Sequence, residues 1–492
     1  MTKATNRRWW RLAARAASGT GIVTLTFVLG ACSSLPTSLI GGRQISLPDL
    51  PNTEINTASA REHQRIVSAY GGVYEDAKLQ QRLTVIVDNL TAHSDRPDLH
   101  YKITILNSPA VNAFALPGGQ LYLTRGLLAL ANDSAEVASV MSHEMAHVIS
   151  QHAEHREQVA RENEQIGTIT PGDAQGDGHG AMALARSKLQ LATFSRDQET
   201  EADILGVSIA TRAGYDPLGA ARVLSSMGRN AELRSAGREP RQVDFMSSHP
   251  ATPQRVKNVQ AVAAARSGLR DRVAYLNSLN GLKYGDDTDE GFVRGRKFIH
   301  PKLGFTFTAP EGFILDNTAE AVLGSKESAG QALRLDVVKV PADRSLTDYL
   351  KSGWIENIDE SSVAELDING IPSATAMAFP PATTEASWHF RLFVMKLGGE
   401  VYRFVFAAKE LTPDADRSFR EAVQSFQKVS PNERAAKPLH LKIVRVAPGE
   451  TVESLADEMV FSDRKLERFL VLNGLEAGQQ LKPGDYAKLV VE

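Results

Sequence analysis

His143-Glu144-Met145-Ala146-His147 places two imidazoles four residues apart with a carboxylate between them. On a helix, residues four apart sit one turn above the other and face the same way, so both rings can grip one metal ion. Glu144 then lies beside that ion and can take a proton from water. This is the H-E-x-x-H spacing, and the chemistry it suits is metal-assisted hydrolysis of a peptide bond.

A catalytic zinc ion usually keeps three protein ligands and one open position, and His, His, Glu is one such set. The stretch Phe194 to Asp203 offers the third ligand, about fifty residues on. Glu199 and Asp203 are four apart and share a helical face. Glu199 can ligate, while Asp203 can accept the second ring N–H of a ligand histidine and fix its tautomer. Glu201 points elsewhere and reads as solvated.

These residues need helices beneath them. Ser134 to Gln151 is free of Pro and Gly, and Val137, Val140, Met141, Val148 and Ile149 recur at helical spacing. Asn132 or Asp133 can cap its start, with Glu136 three residues after Asp133. The two histidines are thus expected inside a mostly apolar, buried helix.

The order of motifs resembles the gluzincin metallopeptidases that include the HtpX proteases, the CAAX prenyl proteases and the BepA-type periplasmic proteases. Asn112-Ala113-Phe114-Ala115-Leu116-Pro117-Gly118-Gly119 precedes a strand-like Gln120 to Thr124; then come the histidine motif, Glu199-x-x-x-Asp203, and Ser248-His249-Pro250 with Arg255. The likeness spans about residues 55–270. It implies His143, His147 and Glu199 as ligands of one Zn2+ per chain, Glu144 as general base and Asp203 as the carboxylate behind a ligand histidine. It also implies an edge strand at Gln120–Thr124, including Gln120 and Tyr122, on which an extended substrate peptide lies, with Asn112, Gly118 and Gly119 at its margin. His249 is expected near the metal, either steadying the oxyanion or filling the open position when the enzyme is idle. Arg255 is expected to balance developing negative charge.

Arg7, Arg8, Arg11 and Arg15 precede an apolar run from Gly19 to Ala31, too short to span a membrane and laid out like an export signal. Its end, Leu29-Gly30-Ala31-Cys32, resembles a bacterial lipobox. Cys32 is the sole cysteine, which excludes an internal disulfide and fits lipid attachment. The expected organisation is a signal peptide at 1–31, a tether at 32–57, a mainly α zinc peptidase domain with a small sheet at 58–290, an α+β domain at 295–430 and a small unit at 438–492. The α+β domain resembles the PsbP fold weakly, and Tyr402, Phe404 and Phe406 read as its core. The last unit reads β-α-α-β and resembles a LysM module, a peptidoglycan binder, although Glu450 stands where Asp is usual and the closing Ile-Pro is missing. Thr168–Gly180, with His179, reads as a loop between the zinc-binding helices.

With 42% hydrophobic and 23% charged residues the chain is an ordinary folded one, and a net charge of -3 offers no basic surface for nucleic acid. Together these features describe a lipid-anchored endopeptidase of the bacterial periplasm, held at the outer membrane and acting on unfolded or extended envelope proteins. A non-proteolytic wall-binding adaptor with a locked metal site is the alternative from another class, and a peptidoglycan amidase is a third reading.

Overall fold

The computed structural model describes residues 57–155, 194–236, 244–250, 253–263, 267–355, 357–379 and 388–492. The expected signal peptide, Cys32, nearly all of the tether, the 168–180 loop with His179 and the helix expected at Ala181–Leu191 lie outside the described residues.

The helical domain begins with α1 (Thr57–Ala69) and α2 (Ala77–Ala92). Asp76 caps α2 by accepting from the Leu79 N–H, and Leu79, Leu83, Ile86, Val87 and Leu90 form its buried stripe. Three strands follow: β1 (Lys102–Leu106), β2 (Ala113–Leu116) and β3 (Gln120–Thr124). Their order in the sheet is β1-β3-β2. The strand expected at the edge, Gln120–Thr124, is therefore the central one, parallel to β1 and antiparallel to β2. All five of its residues are buried, so no peptide can add to it; β2 holds the edge instead.

Next come α3 (Arg125–Leu130) and α4 (Ser134–Ile149), the helix that carries both motif histidines. Asp133 caps α4 through the Glu136 N–H, and Glu136 accepts in return from the Asn132 N–H. Every residue of α4 is buried. A helix enclosed on all sides has no solvated face, so its polar side chains must find partners inside the protein. Asp133 and Glu136 meet Arg222, and Arg270 reaches Asp133.

Beyond it lie α5 (Arg196–Arg212), α6 (Gly219–Ala236), the short α7 (Phe245–Ser248), α8 (Pro253–Ala263) and α9 (Arg272–Ser278). Helices α4 and α5 touch at Gly206, where an added Cβ would stand 2.9 Å from the His143 nitrogen. Only a glycine lets the two ligand-bearing helices approach that closely.

Residues 292–428 build a sheet-rich lobe. One seven-stranded antiparallel sheet runs from Ile358–Ile368 at one edge to Ile314–Asn317 at the other, and a four-stranded sheet packs with it. The helix Pro413–Gln424, with Pro413 at its first position, lays Phe419 on the sheet, where it stacks on Phe406 at 4.5 Å. Tyr402, Phe404 and Phe406 are core residues, as their alternation implied.

The last region has the order strand Leu439–Arg445, helix Val452–Asp457, helix Lys465–Asn473, strand Tyr486–Val491. Its two strands pair antiparallel, and a third strand, Lys283–Tyr284, joins them from the far side of the sheet-rich lobe. The lobe is thus an excursion between two pieces of one sheet. The apolar core is also shared: Leu455, Phe469 and Leu489 lie in one cluster with Val137, Tyr275 and Leu276. Lys488 is fully buried, and its Nζ donates to the carbonyls of Ala129, Leu130 and Ala131 at 2.7, 3.1 and 2.9 Å. Those are the open carbonyls at the end of α3, immediately before the cap of α4.

Candidate active site

Helix α4 points His143, Glu144 and His147 to one side, α5 supplies Glu199 and Asp203, and the end of α7 supplies His249. Ser195 caps α5 with a capping box through Gln198, which fixes the first turn that carries Glu199. Phe245 anchors α7: its N–H donates to the Val111 carbonyl at 2.8 Å, and its ring stacks on His249 at 4.4 Å and 19°. A second ring, Phe194, stacks on His147 at 3.9 Å.

The ligand atoms of His143, His147, Glu199 and His249 all lie within 4.8 Å of one another, and all four residues are buried. The two Nε2 atoms of His143 and His147 are 3.1 Å apart. Glu199 oxygens lie 3.7 Å from His143 Nε2 and 3.5 Å from His147 Nε2. His249 Nδ1 is 3.4 Å from His143 Nε2 and 2.8 Å from a Glu199 oxygen. Corners of a tetrahedron with bonds of ~2.0–2.1 Å are roughly 3.4 Å apart, so these edges fit an ion of zinc size. The donor types fit too. Burial, joined for His147 by the neighbouring histidines, lowers the pKa of both motif histidines and keeps their lone pairs free.

The surroundings hold the donors in place. Asp203 Oδ1 stands 3.1 Å from His143 Nδ1, the nitrogen turned away from the cluster. Arg255 forks onto Asp203 at 2.8 and 2.7 Å, and its Nη1 reaches Glu199 at 2.6 Å and the Pro250 carbonyl at 3.1 Å. Burial alone would raise the Asp203 carboxyl, but the Arg255 and His143 contacts hold it at about 2. Burial raises Glu199, with His143 and Arg255 pulling against it. The expected role of Arg255 needs correction. Its fork is committed to two carboxylates and a carbonyl, so it positions ligands and does not reach for a substrate oxygen.

Glu144 is fully enclosed. Burial first, and Glu199 second, push its carboxyl well above the usual range, while the Ala115 N–H donates to it. Its Oε1 has no hydrogen-bond partner among the described residues and lies 3.6 Å from His249 Nε2. Ala115 sits on β2, an edge strand of the small sheet, so that strand and the glutamate meet directly.

The remaining expected substrate residues are not at that edge. Tyr122 has no exposed surface, and its hydroxyl bonds His63 at 2.8 Å on the α1 side. Gln120 is buried in the central strand. Asn112 is buried with its amide nitrogen on the Tyr70 hydroxyl and its backbone paired with Thr124, away from the β2 edge. Gly118 and Gly119 have φ of +89° and +84°, and an added Cβ on Gly119 would stand 2.2 Å from the His100 carbonyl. They make the β2–β3 turn.

His152 is a residue that sequence reasoning missed. Helix α4 stops at Ile149, Gln151 takes φ +50°, and the chain turns back so that His152 Nδ1 meets His147 Nδ1 at 2.9 Å. Its other nitrogen faces Glu201 at 3.5 Å, and Glu201 is solvent-exposed, as its position implied, while also accepting from the Ser150 hydroxyl. Only the short His147-x4-His152 spacing hinted at it.

Comparison with known proteins agrees with this geometry. Residues 77–263 match the family model described as peptidase family M48. The mitochondrial metalloendopeptidase OMA1 of Schizosaccharomyces pombe is 29% identical over 175 residues, covering 36% of this chain and 50% of its own. The beta-barrel assembly-enhancing protease of Escherichia coli K12 is 24% identical over 234 residues, covering 44% and 46%. Metalloprotease LoiP of the same strain is 26% identical over 249 residues, covering 48% and 93%. The chain thus spans about half the length of the first two relatives. Cyanobacterial PsbP from Synechocystis sp. PCC 6803 overlaps 27% of this chain and 91% of its own at 17% identity, with a TM-score of 0.22, too low to argue from.

Proposed function

We propose that this chain, with its M48 metallopeptidase domain, is a zinc-dependent endopeptidase of the bacterial envelope that cuts unfolded or extended polypeptides. One observation carries the reading: two imidazoles from α4 and a carboxylate from α5 converge at tetrahedral spacing beside a buried glutamate.

When bound, zinc supplies Lewis acidity, lowering the pKa of water toward ~7 and polarising a carbonyl. His143, His147 and Glu199 hold it, with Asp203 and Arg255 fixing their orientation. Burial raises the proton affinity of Glu144, which suits it to take a proton from water and deliver it to the leaving amine. The free edge of β2 aligns an extended substrate beside Glu144 through backbone hydrogen bonds. His249, with one ring nitrogen among the ligand atoms, either fills the fourth position at rest or turns to steady the oxyanion.

The location follows from the export-signal layout and Cys32, whose lipid would tether the chain, and from the kinship to a beta-barrel assembly-enhancing protease. No described helix is long and apolar enough to cross a membrane. The β-α-α-β region is the candidate peptidoglycan contact, and quality control of envelope proteins is the role that joins these parts.

The test is casein cleavage by the full chain with and without chelator. Glu144→Gln is expected to abolish cleavage while metal content stays at one per chain; cleavage retained in that variant contradicts the assignment. A wild-type protein that is loaded with zinc yet inert toward every peptide, but binds sacculi, favours the adaptor reading. Release of fragments from sacculi favours the amidase. His249→Ala with unchanged turnover and unchanged resting metal coordination removes both roles for that ring.

A further inference from the structure

A cavity of about 710 Å³ lies where the helical domain, the sheet-rich lobe and the C-terminal module meet, within the ~300–1,000 Å³ range of small-ligand pockets. It is separate from the metal cluster; none of the four candidate ligands lines it. Its walls are apolar side chains such as Leu130, Phe313, Leu439 and Leu472, yet seven arginines and lysines line it against two aspartates.

Arg125 is the residue that asks for a ligand. It is 1% exposed; Asp287 and Asp286 act on it from beyond contact distance, and Asp287 is taken by Lys283 Nζ at 2.7 Å and the Asn107 amide at 3.1 Å. Its Nε donates to Asn107 at 2.8 Å and its Nη1 to the Lys283 carbonyl at 3.2 Å, while its buried Nη2 has no hydrogen-bond partner among those residues. Buried arginines are rarely left without a counter-charge, and an unmet buried donor costs about 1–3 kcal/mol. Asp286 also lines the cavity and feels both Arg125 and Arg234, but one of its oxygens is taken by the Val293 N–H. A site walled by apolar groups, rich in cations and holding one unmet guanidinium donor takes an anion joined to an apolar body. A monoanionic carboxylate suits it better than a phosphate, which carries up to two charges that must be dehydrated.

We propose that this three-way cavity binds an amphiphilic carboxylate, its anionic end on Arg125 with Arg234 alongside and its apolar portion between the sheet-rich lobe and the C-terminal module. That chemistry has two sources, the free C-terminus of an apolar polypeptide or a fatty acid. The proposal does not rest on proteolytic activity, and its readout is binding.

The experiment is isothermal titration calorimetry on the full, metal-loaded chain. The probes are an acetylated leucine tripeptide with a free C-terminus, its C-terminal amide, dodecanoate below its micellar concentration, and dodecanol. One of the acids is expected to bind saturably at one per chain, with its uncharged counterpart at least tenfold weaker; the acid that binds names the source. Arg234→Gln is expected to weaken that acid at least tenfold, which separates this cavity from carboxylate capture by the metal. Arg125→Gln is expected to abolish binding; should it fail to fold, the half-buried Arg234 variant carries the test alone. Absence of binding by both acids, equal binding of an acid and its neutral counterpart, or unchanged affinity in Arg234→Gln overturns the proposal.

Discussion

His152 and Arg255 show how much of a metal centre lies behind its ligands. His152 holds the rear nitrogen of His147 at 2.9 Å, which sets the direction of the front one. His152→Ala is expected to lower zinc affinity by ~10–100-fold, read by competition with a chromophoric chelator, and affinity equal to wild type would show the contact to be incidental. Arg255 is 7% exposed and neutralises two buried carboxylates. Arg255→Met is expected to destabilise the metal-free protein by roughly 3–5 kcal/mol in urea, with Arg255→Lys restoring little because an ammonium cannot fork. His143, Glu144 and His147 were legible in the sequence because helical spacing aligns them, whereas Glu199, on a second helix, was legible only through the order of the motifs. Arg255 was legible as a member of the site but not in its role, since only the fold reveals which groups its fork already serves. His152 was illegible because a single left-handed residue, Gln151, brings it back, and no periodicity announces that.

Elements were read more surely than their neighbours. Helix α4 follows from its local cap and apolar period, and it appears within two residues of the expected Ser134–Gln151. The mistake at Gln120–Thr124 arose because edge and centre are properties of pairing between distant segments, which alternation within five residues cannot encode. The parallel partner β1 covers the side that was expected to be open. The same dependence on contact governs α4 and α5. Gly206→Ala is expected to push the helices apart or strain them, costing about 1–3 kcal/mol and loosening zinc. Thermal unfolding with and without metal checks it, and a shift confined to the metal-free form would show that the helices re-seat.

Composition and spacing divided the chain into three regions after the tether, and they could not show that the first and last share a core. Lys488→Met is expected to remove a donor from three buried carbonyls, of which Leu130 keeps the Asn132 amide, and cost about 1–3 kcal/mol, with loss of zinc affinity alongside because those carbonyls lead into the cap of α4. Unfolding in urea measures the first and chelator competition the second; an intact metal site in a destabilised variant would limit Lys488 to the fold. At the junction of the regions, burial pushes the Asp286 carboxyl up to about 6 against the pull of Val293, Arg125 and Arg234. A carboxyl raised in this way lends its stability in full below its unfolded value near ~3.9 and loses it as pH climbs through about 6. Asp286→Asn is therefore expected to be more stable than wild type at pH 8 and equal to it by pH 4, in chemical unfolding at both. The lysine contact also imposes a timetable. Ala129 and Lys488 are 359 positions apart, so a nascent chain makes its histidine helix long before the residue that seals the foot of that helix. Until that late strand arrives the site stands on an unfinished base, so the cluster is completed well after the helix that carries its histidines has been made.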